Sequence, residues 1–153
     1  MTIRRAIEYV LLGGLALFVL IQLVPYGRDH GNPPVTRPAH WTSKAGEQLA
    51  VQSCYDCHSN LTEWPWYSNI APLSWLVQRD VGEGRGVLNF SEWNKGQPSL
   101  GDLTDAVSGG SMPPTKYTII HSSTSLSTSE KQTLVRALTQ LYAHDPPPPG
   151  GGG

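Results

Sequence analysis

Cys54-Tyr55-Asp56-Cys57-His58 decides how this chain is read. Two cysteines three residues apart, followed at once by a histidine, form the attachment sequence of a c-type haem. A three-residue step on a helical turn puts both sulfurs on one edge. There each can add to one vinyl group of a porphyrin, and the next residue aims an imidazole at the iron. Cys54 and Cys57 are therefore candidate covalent attachment points for one haem c, and His58 is the candidate proximal ligand. With two Cys and five His in 153 residues, the pattern arises by chance with a probability of roughly 10⁻³. Three other chemistries use such a pair. Zinc needs about four ligands, and with no second cysteine pair His30, His40, His121 or His144 would have to complete the set. A thioredoxin-like redox pair needs a βαβ context, which is absent. A structural disulfide has no use for His58.

The opposite face of the iron has two candidates. Met112 is the one methionine after the initiator, and it stands in Gly109-Gly110-Ser111-Met112-Pro113-Pro114. A gap-filling core methionine sits on an apolar helical face. A methionine in a stiff Gly/Pro loop is instead placed to hold a thioether at a fixed distance from a metal. His121 is the rival ligand, and an open site is the third possibility.

Around the motif the chain reads as all-α, with a few short helices and long loops. Ser43 can cap a helix from residue 44 to about 56. A second helix starts at Ala71-Pro72 and is expected to end at Gly82 and Gly84. Leu100, Leu103, Ala106 and Val107 fit a short third helix, stopped by Gly109-Gly110. Ser127-Thr128-Ser129-Glu130 is a capping box that opens the clearest helix, carrying Leu134, Leu138 and Leu141. Residues 87–90 fit either a short strand or a loop.

Residues 7–24 are apolar except for Glu8 and Gln22, with Arg4 and Arg5 before them and Pro25 after. At helical rise they span roughly 27 Å, close to the hydrocarbon core of about 30 Å. The expectation is a single-pass transmembrane anchor over residues 1–25; a cleaved signal peptide is the alternative. Residues 26–41, with Pro33, Pro34 and Pro38, read as an extended linker in which His30 and His40 face solvent. Residues 42–144 form the haem domain. Residues 145–153, four prolines and then glycines, read as a disordered tail. The formal net charge is -1, which argues against a nucleic-acid partner.

All five tryptophans fall between Trp41 and Trp93. Trp64, Trp66, Tyr67 and Trp75 are candidates to wall an apolar cofactor plate, with ordinary core packing as the alternative. Arg85 is a candidate partner for the haem propionates, since a guanidinium suits carboxylates; a plain surface arginine is the alternative.

Taken together, these stretches resemble the small haem-binding domain family of single-haem, cytochrome c-like proteins. The resemblance rests on Cys54-Tyr55-Asp56-Cys57-His58-Ser59-Asn60, Trp64-Pro65-Trp66-Tyr67-Ser68 and Ile70-Ala71-Pro72-Leu73-Ser74-Trp75-Leu76. It continues through Glu83-Gly84-Arg85, Leu88-Asn89-Phe90-Ser91-Glu92-Trp93 and Met112-Pro113-Pro114-x-x-Tyr117. It implies a haem held by two thioethers, His58 proximal, and Met112 as distal ligand. Residues 94–103 depart from it, being shorter than the basic helix usual there, and Arg79-Asp80 replaces a usual histidine.

The expected function is electron transfer by a membrane-anchored haem protein, with the domain outside the cytoplasmic membrane on the periplasmic side. Its partners would be a membrane redox complex or another cytochrome, and the lipid bilayer through the anchor. No catalytic base is evident, so a carrier is favoured over a catalyst. An enzyme or sensor with an open distal iron, such as a peroxidase or gas binder, is the alternative. A subunit whose haem only stabilises the fold is a third.

Overall fold

The computed structural model describes residues 2–150, which fall into two compact units. Among the described residues the regular structure is helical, with no named strand and two isolated bridges. The strand considered for residues 87–90 is a helix end and a loop.

The first unit comprises Met1–Gly31 and Trp64–Asp80. Helix α1 runs over Ile3–Ile21, and none of its residues is buried. The expectation of a transmembrane helix is corrected here: no helix among the described residues is long and apolar enough to cross a membrane. The helix takes Arg4, Arg5 and Glu8 into its own first turns, where Arg4 Nε meets Glu8 Oε1 at 3.0 Å. Only residues 9–21 are helical and uncharged. Their rise of about 20 Å falls short of a hydrocarbon core of about 30 Å. Past α1, Gln22 Nε2 donates to Ala71 O at 2.9 Å, and Gln22 Oε1 accepts from Ala71 N at 3.0 Å. Gly27 has φ +81, and a Cβ there would stand 2.2 Å from Ser74 O. Only glycine tolerates both that backbone and that approach.

The second unit comprises Asn32–Glu63 and Val81–Gly153. Helix α2 (Lys44–Ser53) opens on Ser43, whose hydroxyl accepts from Gly46 N, as the sequence indicated. One turn, α3 (Tyr55–His58), follows. Helix α4 (Leu73–Val87) belongs to the first unit up to Asp80 and to the second from Val81. It does not end at Gly82 or Gly84. A helical glycine costs about 1 kcal/mol, and the packing that Gly84 permits outweighs it, as shown below. Helix α5 (Leu100–Gly109) stops at Gly110, which has φ 78 in the left-handed region. A short helix not read from the sequence, α6 (Thr115–Ile120), precedes a 3-10 turn at Ser122–Thr124. Helix α7 (Thr128–His144) carries the capping box.

The core of this unit is one cluster. Leu134, Leu138 and Leu141 of α7 meet Ala50, Phe90, Trp93 and Val107. Helix α7 packs on α2 and α5. The α2–α7 crossing is close because Gly46 has no side chain: a Cβ there would lie 2.0 Å from the Ala137 Cβ.

Two expectations about the ends of this unit are corrected. The stretch after residue 32 is docked rather than a free spacer. Ala39 N donates to Phe90 O (2.8 Å), Trp93 N to Arg37 O (2.8 Å) and Asn60 Nδ2 to Pro34 O (3.0 Å). Unpaired backbone on residues 88–93 takes extended chain as its partner. The tail is hydrogen-bonded to the unit through residue 150. Asp145 is buried, pairs with Arg37 and accepts from His40 N (3.1 Å), while its carbonyl accepts from Trp93 Nε1 (2.7 Å). Gln97 N donates to Pro148 O (3.0 Å), and Gly150 N to Gln97 O (2.8 Å). Residues 151–153 lie outside the described residues. His40 is exposed as expected, but His30, in the first unit, is part-buried.

Candidate haem site

Cys54 ends α2 with φ -125, breaking that helix one residue before α3 begins. Cys57 N and His58 N both donate to Cys54 O, at 3.1 and 2.8 Å. One tight turn therefore carries both thiols and the imidazole. Ser59 closes it: its hydroxyl donates to Tyr55 O (2.7 Å) and accepts from Leu61 N (3.0 Å). Neither cysteine is in a disulfide, and both are half-buried. Burial, and secondarily the neighbouring Cys57, pushes the Cys54 thiol up to about 12. It is a protonated thiol at neutral pH.

The His58 ring is oriented from its far side. Nδ1 lies 2.9 Å from Gly84 O and 3.2 Å from Leu88 O. Carbonyls only accept, so Nδ1 carries the proton, and Nε2 keeps its lone pair for a metal. Burial holds the imidazole below its ordinary pKa, outweighing the two backbone hydrogen bonds that favour the cation. A neutral imidazole with its tautomer fixed in this way suits a metal ligand.

Gly84 makes this possible. A Cβ at Gly84 would lie 2.4 Å from Cys57 O and 3.0 Å from Cys57 Cβ. Helix α4 thus lies directly on the motif: Gly84 O, which also accepts from Leu88 N at 3.0 Å, and Leu88 O just past the helix end both reach the His58 ring.

Arg85, next on α4, is engaged with the chain itself. Nε donates to Ser59 O, and Nη2 to Asn32 Oδ1 and Thr62 Oγ1, each at 2.8 Å. It pins the loop that leaves the motif. Burial lowers its pKa.

Met112 sits between α5 and α6, is 39% exposed, and donates its backbone N–H to Ala106 O at 3.1 Å. The segment after it returns to the motif: Tyr117 donates its hydroxyl to Asp56 Oδ2 at 2.6 Å. His121 stacks on Tyr117, with ring centroids 4.5 Å apart.

The four aromatic candidates belong to the first unit. There Trp64 stacks on His30 (4.9 Å), and Trp66, 76% exposed, stands edge-on to Tyr67 (6.0 Å). The Trp75 Nε1–H is buried and has no acceptor among the described residues. A cavity of about 840 Å³ in the second unit is lined by residues such as Pro98, Leu100, Tyr142 and Pro148, and by none of the motif residues.

Three roles escaped sequence reading: the carbonyls of Gly84 and Leu88, the side-chain-free contact at Gly84, and the Tyr117–Asp56 pair. Gly84 and Tyr117 stand within the stretches that carry the family resemblance, but nothing in their spacing says what they touch.

The donor set fits a haem iron better than the alternatives. No group of three or more His, Cys, Asp and Glu among the described residues is arranged to hold a metal ion, which leaves zinc without a ligand set. Comparison with curated proteins and with solved structures gave no match. A family model described as "Haem-binding domain" matches residues 16–140. With that match over most of its length, and with a turn that presents a neutral imidazole beside two thiols, the chain belongs to the haem-binding domain family and is a haem protein.

Proposed function

We propose that this chain is a single-haem c-type cytochrome that carries electrons on the outer side of the cytoplasmic membrane. The observation that carries the reading is the His58 ring, whose Nδ1 is held by Gly84 O and Leu88 O in the same turn as two thiols that are in no disulfide. In this reading Cys54 and Cys57 hold the haem through two thioethers. His58 is the proximal ligand through Nε2, and Met112 is the distal ligand. Bound haem supplies a one-electron ferric/ferrous couple, and methionine/histidine ligation raises its potential. The residues here fix the imidazole tautomer, seat α4 on the attachment turn and keep the loop to Thr62 in place through Arg85. Met112 as a sixth ligand closes the site to exogenous molecules, which favours a carrier over a catalyst.

The domain works in a compartment where covalent attachment is completed after export. The apolar residues exposed along α1, with Arg4 and Arg5 at its start, are the surface by which the chain is held at the membrane face. A membrane redox complex or another cytochrome is the electron partner.

Denaturing electrophoresis with haem staining tests the attachment. Haem that stays with the chain is the expected result, and Cys57→Ser should leave a single thioether with a shifted pyridine haemochrome spectrum. Haem lost on denaturation would reduce the reading to a non-covalent haem protein.

A further inference from the structure

We propose that the hydrogen bond from Tyr117 to Asp56 is the latch that positions Met112, which makes Tyr117 a positioning residue for the distal face of the haem. The inference rests on the reading of Met112 as distal ligand. Asp56 lies between the two attachment cysteines, so a bond to its carboxylate ties the Met112 segment to the turn that would hold the haem.

The Met112 backbone is tied to α5 through its N–H bond to Ala106 O at 3.1 Å, but little apolar burial holds the segment beyond it. The chain leaves α5 through Gly110, a left-handed glycine that fixes the turn but carries no side chain to pack. The Met112 side chain is itself 39% exposed. Among the described residues α6 packs on the 3-10 turn that follows it and on none of the long helices. Its apolar residues Ile119 and Ile120 are 76% and 62% exposed. Directed bonds must therefore supply what apolar burial does not.

Tyr117 is well placed to transmit such a bond to Met112. Pro113 and Pro114 restrict the backbone between them. Pro114 precedes the first turn of α6 and accepts from both Tyr117 N (2.9 Å) and Thr118 N (3.1 Å). The backbone between Met112 and Tyr117 is thus restricted in its freedom. At 2.6 Å the hydroxyl–carboxylate bond lies in the charge-assisted range. The acceptor is itself braced: Asp56 Oδ1 accepts from Glu63 N (3.0 Å) and Asp56 O from Thr62 Oγ1 (2.7 Å). The stack of Tyr117 on His121 holds the ring.

The test uses the ferric holoprotein, with imidazole as the probe for an open distal position. Tyr117→Phe keeps the ring and removes the hydroxyl. It should raise imidazole affinity about tenfold, the scale of a lost hydrogen bond to a charged group. The sulfur-to-iron charge-transfer band should weaken, the potential should fall, and amide exchange over residues 112–121 should quicken. Asp56→Asn keeps a neutral acceptor and should move each readout less. The double variant should go no further than Tyr117→Phe alone. If Tyr117→Phe yields no holoprotein, Asp56→Ala, which removes the acceptor, carries the test. Imidazole affinity within about twofold of wild type in the variant tested, while Met112→Ala raises it, would overturn the latch and leave the ligand reading standing. If Met112→Ala does not raise it, the ligand reading fails and the latch with it.

Discussion

Gly84 lies so close to Cys57 that a Cβ on it would stand 2.4 Å from the Cys57 carbonyl oxygen. This contact lets Gly84 O, in the last turn of α4, and Leu88 O, just past its end, reach His58 Nδ1. A side chain there would push α4 off the attachment turn, and the obstacle is backbone, which cannot swing away.

Gly84→Ala should therefore destabilise the fold by about 1–3 kcal/mol, the usual range for overpacking. It should also loosen the His58 ring. Thermal unfolding reads the first effect, and the Soret and visible spectrum of the holoprotein reads the second. A stability equal to wild type would mean that α4 can shift without cost.

Gly46→Ala tests a different contact, the α2–α7 crossing, where the new methyl would meet the Ala137 Cβ at 2.0 Å. The substitution gains about 1 kcal/mol of helix propensity, but the clash should leave it destabilising overall. Adding Ala137→Gly should recover part of the loss. Chemical denaturation of the two single variants and the double gives the coupling. Strict additivity would show that the two residues do not meet.

Much of this was legible in the chain. CxxCH pointed to haem, and the family match over residues 16–140 agrees with haem binding. Ser43, Ser127-Glu130 and Gly109-Gly110 marked helix ends correctly because capping is local. What could not be read depends on tertiary contact. Gly82 and Gly84 look like stops until Cys57 is seen against Gly84. The prolines of residues 33–38 and 146–149 look like free spacers until residues 88–97 are seen pairing with those stretches. The apolar run of residues 7–24 has nearly the length of a span, but its helix takes in three charges and ends at Ile21.

The capping box gives a pH-dependent prediction. The Ser127 side chain, and then its backbone, hydrogen-bond Glu130 and hold its carboxyl below the ordinary range. A depressed folded-state pKa adds stability that is present above the unfolded-state pKa and is lost as pH falls through the folded one. Ser127→Ala should cost about 1 kcal/mol near neutral pH and flatten that acid-side loss. Unfolding curves recorded from neutral into the acid range should show the variant and the wild type converging. Parallel curves would mean that the pair is not coupled to folding.

Met112→Ala should lower the reduction potential and let carbon monoxide bind the ferrous protein, because a soft sulfur ligand that favours ferrous iron is lost. His58→Ala should instead prevent a normal holoprotein, since the ring fixed by Gly84 O and Leu88 O has no substitute in its turn. Potentiometry and carbon monoxide difference spectra distinguish the two outcomes. Both variants behaving alike would mean that the two faces of the iron are not held as assigned.

The most direct measurement is the absorption spectrum of the purified wild-type protein in both oxidation states. A haem iron held by His58 and Met112 should be low-spin, with a long-wavelength methionine-sulfur charge-transfer band in the ferric form and no change when carbon monoxide is added to the ferrous form. A high-spin five-coordinate spectrum, with ready carbon monoxide binding, would contradict the electron-carrier reading and point to an open distal site.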